Sequence, residues 1–342
     1  MDNIQISIIM PAFNASKYIR PAIQSVLNQT YENWQLVIVD DGSTDDTLQI
    51  AQECAASDSK NRIVVVHQEN SGTAAAARNT ALEYVTGDYV QILDSDDYLS
   101  TDCLQKYVDI MQREDEPPTI ILPIALSVRD DGQVLREISH VSKYVGQVIS
   151  GEKAFEMSLD WTIHGCMYVC RELINKIKFD PLLLNGDEFT TRKIFANAKN
   201  VMFVDAIYYY RDNQESTTKN LRNRARKYEC LNTDGNIYDY AVECEMPEYI
   251  INKCAKKWMK SIVAHEAHYL RDKGIYTIEQ NEFVVDIVER NLMRATTEHV
   301  YKKDSSVWGR IVFWCHGSMS RLEFVAGWYN LLWKFKEKTK RK

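Results

Sequence analysis

Four short apolar segments alternate with helical patterns over the first hundred residues, and this repeat constrains the fold more than any other feature. Segments that are apolar at nearly every position are typical of strands buried on both faces. Strands that alternate with helices form a parallel sheet with helices on both sides. We therefore expect an α/β fold with a mostly parallel central sheet. The four predicted strands are Ile6–Met10, Trp34–Val39, Ile63–Val66 and Tyr89–Leu93.

The segments between these strands carry helical signals. Ser16 is expected to cap a helix that includes Ile19 to Leu27, and Thr44 to cap one that ends near Ala56. Thr73 to Val85 is an alanine-rich helical segment. In an open parallel sheet, ligands lie outside the carboxyl ends of the strands. The candidate site therefore comprises the residues just past those ends, which are Phe13, Asn14, Asp40, Asp41, Asn70, Asp94, Ser95 and Asp96.

The fourth predicted strand ends in a run of carboxylates, Asp94-Ser95-Asp96-Asp97. In an extended segment Asp94 and Asp96 point to the same side, and each would raise the pKa of the other unless a cation lay between them. Mg²⁺ is usually held by one or two carboxylates together with substrate phosphates. The pattern predicts a metal site for a diphosphate. The alternative is that Asp97 or Ser100 caps the next helix, predicted at Asp102–Met111.

The second predicted strand also ends in acids, Asp40-Asp41-Gly42-Ser43. Either aspartate could accept the imide N–H of a uracil or a ribose hydroxyl. The same segment could equally be a plain turn and helix cap with no ligand, and taken singly we favour the turn. No G-x-G-x-x-G follows the first strand and no Walker Gly-Lys-Thr is present, so a metal is expected to bind the phosphates.

Composition narrows the classes of function. The formal net charge is −7, which argues against nucleic acid as a partner of the whole surface. The eight cysteines form no C-x-x-C pair and predict free thiols in a reducing compartment. His265 and His268 lack an evident third ligand, so we interpret them as structural. With no basic N-terminal region and no apolar run long enough to span a bilayer, the sequence predicts a cytoplasmic protein.

A charged run with two prolines, Glu114–Pro118, ends the first half of the predicted domain. Beyond it, Thr119–Val128 and Gln133–Ile138 flank Asp130-Asp131-Gly132 as a predicted hairpin. Further on, Gly186-Asp187-Glu188 places acids at a helix start, where they are often only partners of the helix dipole.

Several spaced motifs make the sequence resemble glycosyltransferase family 2, whose enzymes have the GT-A fold, from about Ile6 to Thr218. The resemblance implies a Rossmann-like nucleotide-diphospho-sugar transferase domain over residues 1–220, with a nucleotide-sugar half (1–113) and an acceptor half (119–220), and a helical region over 221–342. The motifs are Ile8–Asn14, Val39–Asp45, Asn70-Ser71-Gly72 with Ala77-Arg78-Asn79, Thr86–Tyr89 and Leu93–Asp97.

The same resemblance implies roles for single residues. Asp187 maps to the catalytic base, although the family's preceding Glu is Gly186 here, and Glu188 is the alternative base. Asp94 and Asp96 would carry Mn²⁺ or Mg²⁺. The residues that would hold the nucleotide and its diphosphate are Pro11, Ala12, Phe13, Asp40, Asp41, Asn70, Arg78, Asp94, Ser95 and Arg211. Near Arg211 the sequence departs from the family, because Asp212-Asn213 replaces the usual His before Ser216-Thr217.

These parts imply an inverting hexosyltransferase that moves a sugar from a nucleotide-diphosphate donor, with UDP expected, to a glycan or lipid-linked glycan of a growing surface polysaccharide. A sugar-1-phosphate nucleotidyltransferase would need a Gly-rich, basic first loop, and Pro11–Asn14 is not one. A non-catalytic nucleotide-sugar-binding or scaffold protein is the remaining alternative. The donor sugar, the linkage and the oligomeric state stay open.

The C-terminal end predicts a location. An apolar helical face, Leu322, Val325, Tyr329, Leu332 and Phe335, leads into the basic segment Lys334–Lys342. Such a helix lies on an anionic membrane. We expect residues 322–342 to make peripheral contact with the inner face of the cell membrane. The alternative is that this face packs on the protein itself or across a dimer.

Overall fold

The computed structural model describes residues 4–114, 116–181, 186–213, 224–303 and 306–340, and for residues 332–340 it describes the helical backbone alone. The chain divides into two compact units, Met1–Gln214 and Glu215–Lys342. The boundary expected after residue 220 lies outside the described residues. The finer division of the first unit at residues 113–119 stays a prediction.

Within the described residues, ten strands form one sheet in the first unit. Their order is β3-β2-β1-β4-β9-β6-β10-β5, with β7 beside β6 and β8 beside β10. Strands β1 to β4 are mutually parallel, which confirms the predicted mostly parallel sheet. The strands are β1 Ile6–Ala12, β2 Trp34–Asp41, β3 Ile63–Gln68, β4 Tyr89–Ile92, β5 Tyr98–Leu99, β6 Ile120–Val128, β7 Val134–Glu137, β8 Val148–Ser150, β9 Tyr168–Cys170 and β10 Asn200–Arg211.

Helices cover this sheet, and their buried residues explain why they form. In α1 the residues Ile19, Ala22, Ile23 and Val26 recur at helical spacing and are all buried. The predicted hairpin is confirmed, since β6 pairs antiparallel with β7. The helices of the first unit are α1 Ile19–Leu27, α2 Thr47–Ser57, α3 Ala74–Leu82, α4 Cys103–Arg113, α5 Gly151–Ser158, α6 Arg171–Ile177 and α7 Gly186–Asn197.

Two predicted helix caps are wrong. Helix α1 begins after Tyr18 without a side-chain cap, and the Ser16 amide instead donates to Asp45. Helix α2 begins after Asp46, and Thr44 donates its backbone N–H to the side chain of Asn14. Ser16 and Thr44 instead form hydrogen bonds between the loops after β1 and β2. Thr73 does cap α3, where its hydroxyl accepts from the Ala76 amide.

The motif Thr86-Gly87-Asp88 connects the start of β4 to the start of β1 by hydrogen bonds. A side chain at Gly87 would meet the Ser7 backbone nitrogen at 2.6 Å. The Gly87 amide donates to the Ser7 hydroxyl, and Asp88 accepts from the backbone of Gln5. This motif therefore keeps β1 and β4 in register, and the sheet reverses its order of strands at this pair, which is where open α/β sheets bind ligands.

The second unit is helical in its described part. No helix among the described residues is long and apolar enough to cross a membrane. His265 contacts the Cys230 thiol and the Ser261 carbonyl, and no described cluster of three or more metal-ligating side chains includes it. The helices are α8 Cys230–Glu243, α9 Glu248–Asp272, α10 Ile278–Thr297, α11 Val307–Cys315 and α12 Met319–Lys340.

The apolar face expected to meet a membrane is partly wrong. Leu322 is fully buried, and Tyr329 packs its ring against Trp308. Together with the buried Ala326, these side chains face the rest of the helical unit because α12 packs along α9. Leu332, Phe335 and the basic segment lie outside the residues whose side chains are described.

Candidate active site

Asp40 and Asp41 lie at the end of β2 and both are buried. Asp41 accepts hydrogen bonds from the amide and the hydroxyl of Ser71, each at 3.0 Å, and from the side chain of Gln68. One oxygen of Asp40 lies 2.8 Å from Nδ1 of His67, and its Oδ1 is buried with no hydrogen-bond partner among the described residues. Asp40 therefore keeps one inward acceptor without a partner, and neither acid caps helix α2.

The loops after β1, β2 and β3 meet at this end of the sheet. Asn14 has a left-handed backbone, with φ of 48°, and its side chain accepts from the Thr44 amide at 2.8 Å. Gly42 has φ of 71°, and a side chain there would lie 2.6 Å from the Asn70 backbone nitrogen. Close backbone approach explains both the glycine and the sequence motif around it. Pro11 and Ala12 are buried at the end of β1, whereas Phe13 beyond them is 49% exposed.

Arg78 joins two of the predicted site residues. Its guanidinium lies on the buried side of α3 and donates to Asp94 at 2.8 Å, and its other terminal nitrogen lies 3.5 Å from Asp187. Burial opposes its charge, but Asp94 and Asp187 more than offset that effect and raise the pKa of Arg78. The cation therefore stays charged and links the acid that follows β4 to the acid that begins α7.

Residues 94–97 form a turn, closed by a hydrogen bond from the Asp97 amide to the Asp94 carbonyl. Strand β4 ends at Ile92, so strand alternation is not what brings Asp94 and Asp96 together. Asp96 accepts from the Asn213 side chain at 3.0 Å. Burial is the main cause of its raised pKa, which Asn213 opposes and the charge of Asp94 increases.

Asp97 is a buried acid that sequence reasoning treated only as a helix cap. It caps nothing; instead it accepts from the Tyr208 hydroxyl at 2.8 Å and from the Arg211 amide at 2.9 Å. Burial and the charges of Asp96 and Asp94 raise its pKa well above the usual range. The signal that could have found it is its position directly before the apolar pair Tyr98-Leu99, which predicts burial.

Arg211 is fixed at the end of β10. Its Nε donates to the Asp96 carbonyl at 2.9 Å, and one terminal nitrogen lies 3.3 Å from Asp130 in the β6–β7 turn. Its guanidinium also lies over the rings of Tyr18 and Tyr98. The structure thus brings Arg211 to the same turn as the acids, whereas the Ser216-Thr217 segment lies outside the described residues.

The start of α7 explains the unusual glycine before Asp187. A side chain at Gly186 would lie 1.9 Å from the Asp180 carbonyl oxygen, so a glutamate does not fit there. Asn79 holds the preceding segment by exchanging two hydrogen bonds with the backbone of Phe179. Asp187 is 47% exposed, whereas Glu188 lies 3.8 Å from the buried Arg192. Asp187 is the acid that adjoins the other site residues.

The predicted site residues thus form two neighbouring groups at one end of the sheet. In the first group Arg78 contacts both Asp94 and Asp187, and in the second Arg211 contacts the turn that carries Asp96. The strand ends and loops of β1, β2 and β3 contribute other predicted residues, among them Phe13, Asn70 and the two acids at the end of β2. Ser95 lies in the turn and is half-buried. Among the described residues, no three or more acids, histidines or cysteines are arranged as a complete metal site.

Comparisons with known proteins match most of the first unit to a known family. Residues 7–175 match the model of the family described as glycosyl transferase family 2. Glycosyltransferase GlyG of Streptococcus pneumoniae is 28% identical over 60% of this chain and 70% of its own length. The Escherichia coli enzyme UDP-Glc:alpha-D-GlcNAc-diphosphoundecaprenol beta-1,3-glucosyltransferase WfgD is 42% identical over 32% of this chain, and the match spans 42% of its own length.

A solved structure resembles the whole chain. The crystal structure of residues 1–349 of S. aureus TarS in complex with UDP-GlcNAc has a TM-score of 0.72, covering 96% of this chain and 92% of that one at 18% identity. Identity this low shows the shared fold alone. Because the family match, the sheet and the matched structure agree, the chain contains a glycosyltransferase family 2 domain, over residues 7–175, and has the GT-A fold.

Proposed function

We propose that this glycosyltransferase moves a sugar from a UDP-sugar to a hydroxyl of a growing, lipid-linked surface polysaccharide, with inversion and with the help of a divalent metal ion. The contact that carries the proposal is the bridge from Arg78 to Asp94 and Asp187. It holds the acid suited to the donor's diphosphate next to the acid suited to the acceptor's proton. A transfer reaction needs both within one site.

The donor half of the proposal rests on the acids of β2. One carboxylate oxygen of Asp40 has no hydrogen-bond partner among the described residues, so an N–H or O–H of a ligand that reaches this oxygen could satisfy it. A uracil imide or a ribose hydroxyl is such a donor group. TarS was solved with UDP-GlcNAc, and the name of WfgD gives UDP-Glc as its donor. These names favour uridine as the nucleoside for this chain.

The metal half rests on Asp94 and Asp96. Asp96 is mostly buried next to another acid, and its raised pKa shows that negative charge is poorly compensated there. Two carboxylates without a third protein ligand suit Mn²⁺ or Mg²⁺ that is also held by substrate phosphates. Such an ion, when bound, neutralises the charge that develops on the leaving diphosphate. Arg78 and Arg211 would add fixed positive charge beside the same group.

Asp187 is proposed as the base. Its carboxylate is exposed enough to meet an acceptor and is oriented by Arg78. It would take the proton of the acceptor hydroxyl as that oxygen attacks the anomeric carbon, and the nucleotide diphosphate would leave from the opposite side. One displacement inverts the configuration. A base must first reach the proton it takes, and among Asp187 and Glu188 only the former adjoins Asp94 through Arg78.

The acceptor is proposed from the relatives. The name of WfgD gives a diphosphoundecaprenol-linked sugar as its acceptor, and one other relative is named as a putative teichuronic acid biosynthesis glycosyltransferase. A lipid-linked acceptor would place this enzyme at the inner face of the cell membrane. The chain spans less than half of several of these relatives, so the acceptor stays a proposal.

A thermal-shift screen tests the donor and the metal together. A ligand that binds only the folded protein raises the unfolding midpoint in proportion to its affinity and concentration. We expect UDP-sugars to raise it with Mn²⁺ and much less without, and GDP-sugars to have little effect. Equal shifts with and without metal, or no shift with any UDP-sugar, would contradict the proposal. Release of UDP that depends on a lipid-linked acceptor would then identify the transfer.

A further inference from the structure

Large apolar side chains are exposed on one side of the last two helices. On α12, Phe324, Trp328 and Leu331 are spaced by four and three residues, so they lie on one face of the helix, and each is more than half exposed. On α11, Phe313 and Trp314 are exposed at 57% and 48%. We name these five side chains the aromatic face. It lies opposite Leu322 and Ala326, which face the interior.

The aromatic face is continuous across the two helices. The rings of Trp314 and Phe324 lie 6.1 Å apart, and Arg321 donates to the Trp314 carbonyl at 2.9 Å. The Arg321 guanidinium also lies over the Trp314 ring. Soluble proteins rarely expose contiguous aromatic surface of this kind unless it binds something.

We propose that the aromatic face is a membrane-binding surface that inserts between the headgroups of an anionic lipid bilayer. The helices then lie in the plane of the membrane with their outward rings at the boundary of headgroups and acyl chains, where tryptophan is favoured. The interaction surface differs from the one expected from sequence, because it uses the side of α12 that faces away from Leu322 and Ala326 and adds α11.

Charge is the reason to choose a membrane as the partner. Lys302, Lys303, Arg310 and Arg321 are exposed on or next to the same two helices, where Glu323 is an exposed acid. The sequence that follows adds Lys334, Lys336, Lys338, Lys340, Arg341 and Lys342 against Glu337. The whole chain is acidic, with a formal charge of −7, so the excess of cations at this end is a local feature that anionic lipid would attract.

A second copy of the chain is the competing partner for the aromatic face. A dimer formed through this face would bring together the exposed cations Lys302, Lys303, Arg310 and Arg321 of two copies, and like charges oppose association. Anionic lipid instead gains from each of those cations. The inference agrees with the proposed lipid-linked acceptor, but its test needs neither donor nor acceptor, so either proposal can fail alone.

Vesicle co-sedimentation of the full chain tests the aromatic face. We expect binding to vesicles of phosphatidylglycerol and phosphatidylcholine, little binding to phosphatidylcholine alone, and release at high salt. Replacing both Phe324→Ser and Trp328→Ser should weaken binding by about tenfold or more, because two large apolar groups no longer leave water. Their outward position predicts an unchanged unfolding midpoint. If that pair misfolds, Phe313→Ser on α11 provides the same test.

The matched control is Ile275→Ser with Ile278→Ser, two exposed apolar residues elsewhere in the same unit. It should bind vesicles as the parent does. Equal binding by the aromatic-face variant and the control would overturn the proposal, as would failure of the parent to bind anionic vesicles. A parent that is a dimer by analytical ultracentrifugation and that the Phe324→Ser, Trp328→Ser pair converts to a monomer without vesicle binding would assign the face to a second copy.

Discussion

The buried acids Asp41 and Asp97 at the end of the sheet differ from Glu266, one of the buried acids of the helical unit, in their partners. Asp41 accepts from Ser71 and Gln68, and Asp97 accepts from Tyr208 and Arg211. Glu266 on α9 is 0% exposed, and neither of its carboxylate oxygens has a hydrogen-bond partner among the described residues. Burial mainly raises the pKa of Glu266 to about 7; the charge of Glu323 adds to this and Lys273 opposes it.

The difference shows that hydrogen-bond partners fix the orientation of a buried carboxylate. Hydrogen bonds fix where the carboxylates of Asp41 and Asp97 point, even where burial raises the pKa, as it does for Asp97. Glu266 has a raised pKa without such fixed geometry. A carboxylate with at least one hydrogen-bonded oxygen is held in one orientation, whereas a buried acid with no partner on either oxygen chiefly makes stability depend on pH.

The largest expected effect is on catalysis at the sheet. Asp187→Asn keeps the size of the side chain but cannot take a proton, so transfer should fall by about 10²–10⁴-fold. Binding of UDP should stay close to that of the parent, because the proposed role of Asp187 is on the acceptor. Steady-state kinetics and calorimetry measure the two quantities.

Glu188→Gln is the matched control for the base. Its carboxylate lies toward Arg192, so we expect near-normal turnover. Near-normal turnover in Asp187→Asn with a large loss in Glu188→Gln would move the base by one residue.

The next effect is on stability in the helical unit. Glu266 has a pKa of about 7 in the folded chain against 4.5 for an ordinary glutamate. Because the folded pKa is the higher one, the stability that this group contributes is fully present below pH 4.5 and is lost as pH rises through about 7. At pH 8 the parent should therefore be less stable than Glu266→Gln, by about 3 kcal/mol at most.

Chemical denaturation at a series of pH values measures this difference. Glu266→Gln should lose most of the fall in unfolding free energy that the parent shows between pH 5 and pH 8. Glu323→Gln is the control, since its exposed charge only adds to the effect of burial. If parent and Glu266→Gln follow the same pH dependence, Glu266 has a partner in solution and the contrast with the sheet acids disappears.

The smallest expected effect comes from a substitution that removes one hydrogen-bond partner of Asp97 and so makes this acid more like Glu266. Tyr208→Phe deletes the hydroxyl that donates to Asp97 and accepts from the Asp94 amide. Leaving a buried acceptor short of a donor should cost about 1–3 kcal/mol of unfolding free energy. Urea denaturation measures it.

Tyr209→Phe is the control on the same strand, because the Tyr209 ring stacks on Tyr98 and that stacking does not require the hydroxyl. It should change stability by less than about 0.5 kcal/mol. Equal stability of the two variants would show that Asp97 does not depend on Tyr208.

Much of the sheet could be predicted from the sequence because its signals are local. Strands β1 to β4 begin where predicted and end within two residues of the predicted ends, since a buried strand must be apolar along its length. The sequence could not show that Ser16 and Thr44 do not cap helices, because a polar residue that can cap a helix can equally bind a neighbouring loop. Asn14 and Asp45 are separated from their partners by about thirty residues, and propensity contains no such information.

The remaining differences depend on packing. The sequence shows a glycine at position 186 but not that the Asp180 carbonyl excludes a side chain there. Helix α12 has apolar residues on two faces at helical spacing, so periodicity alone cannot decide which face is buried. Contact with α9 buries Leu322 and leaves Trp328 exposed. Glu266 belongs to no motif, and its burial is visible only in the folded unit.

Calorimetric titration of UDP into Asp96→Ala, with and without Mn²⁺, tests the account of the sheet site most directly. The parent should bind UDP far more tightly with the metal, and Asp96→Ala should lose that metal dependence while keeping its unfolding midpoint. Asp109→Ala on α4, which removes an acid that accepts only from Gln105 on its own helix, is the control and should bind as the parent does. Binding by Asp96→Ala with unchanged affinity and unchanged metal dependence would contradict the assignment of Asp96 to the metal and diphosphate.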